Sequence, residues 1–196
     1  MASSRPIGEI VEASLGSFTA ETPPERLYDA PPFGSIVRAE DPDSAHTLYA
    51  VVAATETSSV EANRRAAAFW QSEDELRKNQ PQIFELLSTR FVGLLIGYRE
   101  GSELRLRLPP RPPRVHGFVY ECEPNEVRQV TADLNILRPL LAAPVPSSDE
   151  LVAAVIREGA ATREDGRSFF VAAGKQLASL LRDDYPRLQA IIGKLV

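Results

Sequence analysis

Short segments that favour β-strands, separated by turn residues, occupy the front of the chain. Val, Ile, Phe, Tyr and Thr are concentrated in these segments, and Gly, Pro or Asp stands between them. Several short strands at this spacing are typical of a β-barrel or a β-sandwich. The four predicted strands are residues 7–12, 17–21, 34–39 and 47–55.

The composition changes from β-favouring to helical at Ser58. Ser58 and Glu61 have the spacing of a capping box, in which a serine and a glutamate three residues later cap the start of a helix. The residues that follow are rich in Ala, Glu and Arg, so we predict a helical insertion over residues 59–87. Phe69 and Trp70 are expected to hold this insertion against the barrel.

The same insertion contains candidate contacts for a partner. Arg64, Arg65 and Trp70 are the candidates, because aromatic residues and arginine are enriched where protein interfaces gain most of their binding energy. Two roles therefore remain open for Trp70, namely packing inside this protein and contact with another one.

Strands return after Ser88. We predict strands at residues 90–98, 104–108 and 117–122, all of which are rich in β-favouring apolar residues. The Pro-rich run at 109–114 cannot donate the amides of a sheet ladder, so we expect an extended, polyproline-like crossover there.

Arginines mark the region of the last two predicted strands. Leucine and arginine alternate over residues 104–108, which places Arg105 and Arg107 on one exposed face of a strand. Arg111 and Arg114 follow in the Pro-rich run. These four arginines are candidates for docking an acidic or phosphate-bearing partner. The alternative is that they discourage edge-to-edge pairing of the strand.

From Asp133 onward the apolar residues recur at helical spacing. We predict a C-terminal helical segment over 133–196, packed on the barrel, on itself or on another subunit. The linker at 144–149 predicts a boundary, so a chain cut before Ser147 is expected to keep a folded barrel. The apolar stripes are Leu151, Val152, Val155 and Ile156; Phe169, Phe170, Ala173, Leu177, Leu180 and Leu181; and Leu188, Ile191, Ile192 and Leu195.

Four motifs at the front of the chain follow one another in a recognisable order. They are Ile7-Gly8-Glu9-Ile10-Val11, Phe33-Gly34-Ser35-Ile36-Val37, Leu48-Tyr49-Ala50-Val51-Val52, and Leu108-Pro109-Pro110-Arg111-Pro112-Pro113 before Val115-His116-Gly117-Phe118-Val119. In this order they resemble the HAS barrel, the small β-barrel of HerA-type DNA translocases and of rotary ATP synthase subunits. The resemblance covers residues 5–131. The whole chain also resembles a stand-alone cyanobacterial HAS-barrel family without an ATPase domain.

The chain departs from HerA at the nucleotide site. HerA places a P-loop ATPase after its barrel, but neither Gly174-Lys175 nor Gly193-Lys194 is followed by Ser or Thr, and neither is preceded by the required first glycine. The ATPase activity of HerA is therefore not carried over to this chain. In the HAS family the barrel contacts other subunits or partner proteins, and the resemblance implies that role here.

Charge and cysteine usage restrict the functional classes further. The net charge is −5, which argues against nucleic acid as the main partner, although residues 61–114 carry 10 Lys/Arg against 7 Asp/Glu. Cys122 is the only cysteine, and the first residues have no apolar signal core, so we expect a cytoplasmic protein. His46 is expected to be solvated in a turn, and His116 to make a structural hydrogen bond.

These observations predict an α+β fold, with a small closed β-barrel of about six strands, HAS-barrel-like, at residues 5–131. The helical stretch 59–87 is inserted in it and a helical segment follows it. We predict a non-catalytic protein-interaction or assembly module, with no catalytic residue, cofactor or metal site. The alternative is a nucleic-acid-associated accessory protein that uses the Arg-rich strand and the Pro/Arg segment. Self-association into a homo-oligomer also stays open.

Overall fold

The computed structural model describes residues 5–41, 46–60, 67–145 and 147–195. Six antiparallel strands close into a barrel in the order β2-β1-β7-β3-β4-β5, and β2 pairs with β5 to complete it. A further strand, β6, forms a hairpin with β5. The predicted closed barrel is thereby confirmed. The strands are β1 Gly8–Ala13, β2 Ser17–Glu21, β3 Ile36–Asp41, β4 His46–Ser59, β5 Leu87–Glu100, β6 Glu103–Arg105 and β7 Phe118–Glu121.

Seven α-helices occur in the described residues, two between β4 and β5 and five after β7. The predicted α+β class is therefore confirmed. Short 3-10 turns lie at Pro24–Arg26 and Leu134–Ile136. The helices are α1 Glu73–Asn79, α2 Gln82–Glu85, α3 Pro124–Val130, α4 Leu137–Leu141, α5 Ser148–Ala161, α6 Gly166–Leu180 and α7 Tyr185–Ile192.

The inside of the barrel is a closed apolar core. Alternate residues of β4 face inward, because successive side chains of a strand point to opposite faces. Phe18 and Phe91 meet edge to face with their ring centroids 6.5 Å apart. The Phe18 ring lies against Gly93, where a β-carbon would collide with it, so this close approach requires glycine. The buried interior residues are Ile7, Ile10, Phe18, Ala20, Val37, Ala39, Leu48, Ala50, Val52, Phe91, Leu95, Tyr98 and Val119.

A second apolar core lies between the outer wall of the barrel and the C-terminal helices. The wall contributes outward-facing residues of β3, β4 and β5, and α5 lies against them with contacts to α3, α4, α6 and α7. Gly34, two residues before β3, has a positive φ of 84°, and a β-carbon there would collide with Ala154 of α5. The barrel residues in this core are Ile36, Tyr49, Val51, Ala53 and Ile96.

The C-terminal stripes therefore pack on the barrel of their own chain. Leu151, Val152 and Ile156 of α5 are fully buried in the second core, together with residues of α3 and α4 that precede the linker. Because the two sides of the linker share one core, we expect the opposite of the sequence-based prediction for a chain cut before Ser147. Pro146 itself lies outside the described residues.

The predicted helix start at Ser58 is wrong. Residues 54–59 continue β4 and pair with β5 in register, because threonine and serine on a paired strand complete a backbone ladder there. The capping box of the first helix lies instead at Ser72, whose hydroxyl accepts from the Glu75 amide. Residues 61–66 of the predicted insertion lie outside the described residues.

Candidate functional site

Arg105 does not present a free charge. It ends β6, and its guanidinium lies 3.2 Å from a Glu100 oxygen and 2.8 Å from a Glu103 oxygen. The tight turn between β5 and β6 brings both carboxylates to it. The predicted exposed arginine face is therefore wrong at this position, because two neighbouring carboxylates neutralise the side chain.

Arg107 lies just beyond the end of β6 and is exposed. Its interaction with the phenol of Tyr98 raises the pKa of Arg107. The strand predicted for 104–108 ends at Arg105, although Leu104 and Leu106 do pack against the second core. Arg107 is thus an exposed cation beside the barrel.

Arg111 and Arg114 are exposed on the segment that crosses to β7. Pro109 and Pro113 of this segment are buried, and the chain bends at Pro110 and Arg111. Buried prolines at both ends anchor the segment to the barrel, which fits a crossover better than a straight polyproline ligand. Of the four predicted arginines, three therefore carry exposed side chains.

Trp70 is the most exposed large apolar residue in the described chain. Its side chain is 96% exposed, and Phe69 beside it is 39% exposed. The expectation that these residues hold a helix against the barrel is therefore wrong, since residues 67–70 form no helix and Trp70 contacts little of the protein. Arg64 and Arg65, the other candidates of this segment, lie outside the described residues.

The backbone of Trp70 is in the left-handed region, with φ at 55°. A bulky residue rarely adopts this conformation, and holding it there costs on the order of 1–3 kcal/mol. The backbone of Trp70 is therefore strained, and in this conformation the indole points into solvent.

The segment after Trp70 is fixed by short-range contacts. Ser72 and Glu75 form a reciprocal capping box at the start of α1, and the bonds from Ser72 lower the pKa of the Glu75 carboxyl. Arg77 pairs with Glu73 at 2.7 Å, and its guanidinium lies 4.1 Å from the ring centroid of Phe84 in α2. None of the residues of α1 or α2 is buried.

The two long strands β4 and β5 carry this segment. Beyond Val52, β4 continues as an extension whose residues 54–58 are exposed, still paired with β5. At its end the amide of Val60 donates to the carbonyl of Leu86 at 2.9 Å. We call residues 54–60 and 86–90 the arm, and Phe69 with Trp70 the aromatic pair. In the sequence, the only sign of the arm is the pair of β-branched residues Thr55 and Thr57.

Polar residues at the seam between barrel and α3 form one network. Glu126 accepts from Arg38 at 3.1 Å and from the Tyr49 hydroxyl at 3.4 Å, and Arg99 donates to Tyr49 at 3.1 Å and to Gln129 at 2.6 Å. Burial raises the pKa of Tyr49. Every member has a hydrogen-bond partner, so the network fixes α3 to the barrel rather than offering a reactive group.

The surroundings of the cysteine and the two histidines indicate structural roles for these residues. Burial raises the pKa of the Cys122 thiol, which keeps it protonated and unreactive. His116 lies 2.6 Å from Glu9, which confirms the predicted hydrogen bond. His46 is half-buried at the start of β4, 5.3 Å from the Tyr98 ring and 3.5 Å from Glu100, so the prediction of a solvated turn is wrong. No group of three metal-ligating side chains occurs in the described ranges.

A groove of about 410 Å³ lies beside β1, β2 and β7. Its two carboxylates already have partners, since Glu9 bonds to His116 and Glu21 pairs with Arg90 at 3.0 Å. The apolar part of its lining is Pro6, Val11, Pro23, Pro24 and Phe118.

Comparison with known proteins adds no assignment. No protein family matches the chain, and no curated protein matches its sequence. Within the described residues, each helix is too short or too polar to cross a lipid bilayer.

Proposed function

We propose that this protein is a non-catalytic interaction or assembly module that binds a protein partner through the aromatic pair on its arm. The observation that carries the proposal is the 96% exposure of Trp70 on a strained backbone. Membership of the HAS-barrel family belongs to the same proposal, and its support is the resemblance in sequence, since barrels of that family contact other subunits or partner proteins.

The physical chemistry of an exposed tryptophan supports this function. A tryptophan side chain can bury roughly 150–250 Å² in a partner's pocket, and tryptophan is enriched among residues that dominate interface energies. The strain at φ 55° sets the indole outward before any partner arrives. A pre-positioned side chain loses less conformational freedom on binding, which favours affinity.

The nucleic-acid alternative has weaker support. Arg107, Arg111 and Arg114 are exposed, but Arg105 is neutralised and the net charge is −5. Phosphate contacts would make binding fall steeply with salt. Retention of the full chain on duplex or single-stranded DNA that weakens with salt, and that is lost when these three arginines become alanine, would favour the alternative over the protein-binding proposal.

The test of the proposed function is affinity capture from extracts of the source cell with the full chain and two variants. Trp70→Ala removes the indole, and Tyr185→Ala is the matched control, because Tyr185 is 65% exposed on α7. We expect a protein captured by the wild type and by Tyr185→Ala to be reduced at least tenfold with Trp70→Ala, by quantitative mass spectrometry. Equal capture by all three chains would contradict the proposal.

A further inference from the structure

The arm leaves one edge of β4 without a neighbouring strand among the described residues. Pairing of β3 with β4 ends at Ile36 and Val51, followed by two bonds of Val52, whose amide donates to the Ser35 carbonyl and whose carbonyl accepts from the Gly34 amide. A bulge between Val52 and Ala54 then shifts the register, and residues 54–58 pair with β5 alone. Over part of its length, each of the six barrel strands has two neighbours.

The register shows which backbone groups point away from β5. The amide of Val60 donates to the carbonyl of Leu86, which lies directly opposite it. Because backbone groups of an antiparallel strand bond to the same neighbour at every second residue, Ser58 and Glu56 also bond to β5. The amides and carbonyls of Thr55 and Thr57 consequently face outward. The two hydroxyls of Thr57 and Thr89 lie 2.7 Å apart, as expected for the close, non-hydrogen-bonded pair of an antiparallel ladder.

A row of charges crosses the sheet and ends at this edge. Glu21 of β2 pairs with Arg90 of β5 at 3.0 Å, and Glu56 of β4 stands opposite Arg90 on its other side. Glu56 is exposed, and the guanidinium of Arg90 opposite it pairs with Glu21 instead. A strand added to β4 would place a side chain roughly 4.5–5.5 Å from Glu56, where a lysine or arginine continues the alternation.

We propose that the partner adds an extended segment to the outer edge of β4, with a lysine or arginine opposite Glu56. This inference rests on the proposed function and supplies its binding mode, since edge addition gains affinity from backbone hydrogen bonds and specificity from alternate side chains. Residues 54–58 contain neither Pro nor Lys, two of the residues that protect strand edges. A second copy of the chain fits less well, because its matching edge brings another Glu56 and no cation.

The test selects binders for the full chain from a displayed library of random decapeptides, in parallel with Glu56→Lys. We expect peptides selected on the wild type to share a β-favouring pattern with Lys or Arg at one position, and those selected on Glu56→Lys to carry Asp or Glu there. A wild-type peptide should bind Glu56→Lys roughly fivefold to tenfold more weakly. No enrichment, or peptides indifferent to the charge at position 56, would overturn the inference.

Two further measurements locate the bound peptide. Thr55→Pro removes an outward amide and should abolish binding, whereas Thr55→Val keeps that amide and should retain it. Hydrogen exchange should show protection of the Thr55 and Thr57 amides when the peptide binds. Protection at another site would overturn the inference. Protection that rises with protein concentration in the absence of peptide would mean that a second copy covers the edge, which overturns it as well.

The two proposals fail separately. A native partner that needs Trp70 but binds Glu56→Lys and Thr55→Pro at full strength would retain the proposed function and overturn edge addition. The selected peptides could instead bind the β4 edge and change their charge with Glu56→Lys, while Trp70→Ala still captures the native partner in full. That result would retain edge addition and remove the aromatic pair from the binding site.

Discussion

The two halves of β4 differ in almost every respect. Residues 48–53 are buried on both faces, by the barrel interior on one side and by the C-terminal helices on the other. Residues 54–58 of the same strand are exposed, and the segment beyond them presents Trp70 to solvent. The protein therefore keeps its apolar burial in a body of barrel and helices and leaves the β4 side of the arm exposed. We expect stability to depend on the body and binding to depend on the arm.

Removal of residues 147–196 should produce the largest effect. It exposes the outer wall around Tyr49, Val51 and Ile96 together with the apolar faces of α3 and α4. Exposed apolar surface of this kind favours unfolding or aggregation. Circular dichroism and size-exclusion chromatography of residues 1–146 should show loss of a cooperative thermal transition. A sharp monomer peak with an intact transition would mean that the barrel is independent of its helices.

Shortening a single buried side chain of the body should also lower the free energy of unfolding strongly. Ile156→Ala leaves a cavity in the second core and is expected to reduce the free energy of unfolding by about 2–5 kcal/mol. Val171→Ala, at a 54% exposed position of α6, is the matched control and should stay within about 0.5 kcal/mol. Urea denaturation measures both. Similar losses for the two variants would show that the second core is not closely packed.

Substitutions in ion pairs should show the same difference in stability between the body and the segment carried by the arm, with smaller losses. Glu126→Gln weakens the bonds to Arg38 and Tyr49 at the seam, and we expect a loss of about 1–3 kcal/mol. Glu73→Gln breaks an exposed pair with Arg77 in α1 and should cost less than about 0.5 kcal/mol. If the second variant were as destabilising as the first, the segment carried by the arm would belong to the cooperative body.

The sequence predicted the body better than the arm, for physical reasons. Residues 17–21 form the predicted strand, because a strand with one buried face has a clear alternating pattern. The arm lacks that signal, since Thr55, Thr57 and Ser58 are exposed and no buried face imposes a period on them. A capping-box match at Ser58 therefore favoured a helix where β5 supplies a ladder instead.

The sequence pattern also could not predict which groups surround an individual side chain. Alternation placed Arg105 outward but could not show that Glu100 and Glu103 meet it across a turn. Composition suggested that Trp70 packs inside, whereas the left-handed backbone turns it to solvent. In contrast, the helical stripes around Leu151 and Leu177 are buried as their spacing indicates, although spacing alone could not choose the barrel as their cover.

The smallest expected change in stability comes from Trp70→Ala, which should stay within about 0.5 kcal/mol of the wild type in urea denaturation. A larger loss would show that the indole packs against the protein. Equal stability with lost capture of the partner would assign Trp70 to binding alone.

Tryptophan fluorescence tests most directly whether the segment carried by the arm exposes its aromatic pair, because Trp70 is the only tryptophan of the chain. In the folded protein without its partner, we predict the emission maximum and the acrylamide quenching of a fully solvated indole, with little change in either when urea unfolds the chain. Binding of the partner should then shift the emission to the blue and reduce quenching. A blue-shifted, protected emission in the free protein, lost on unfolding, would contradict an arm that presents Trp70 for binding.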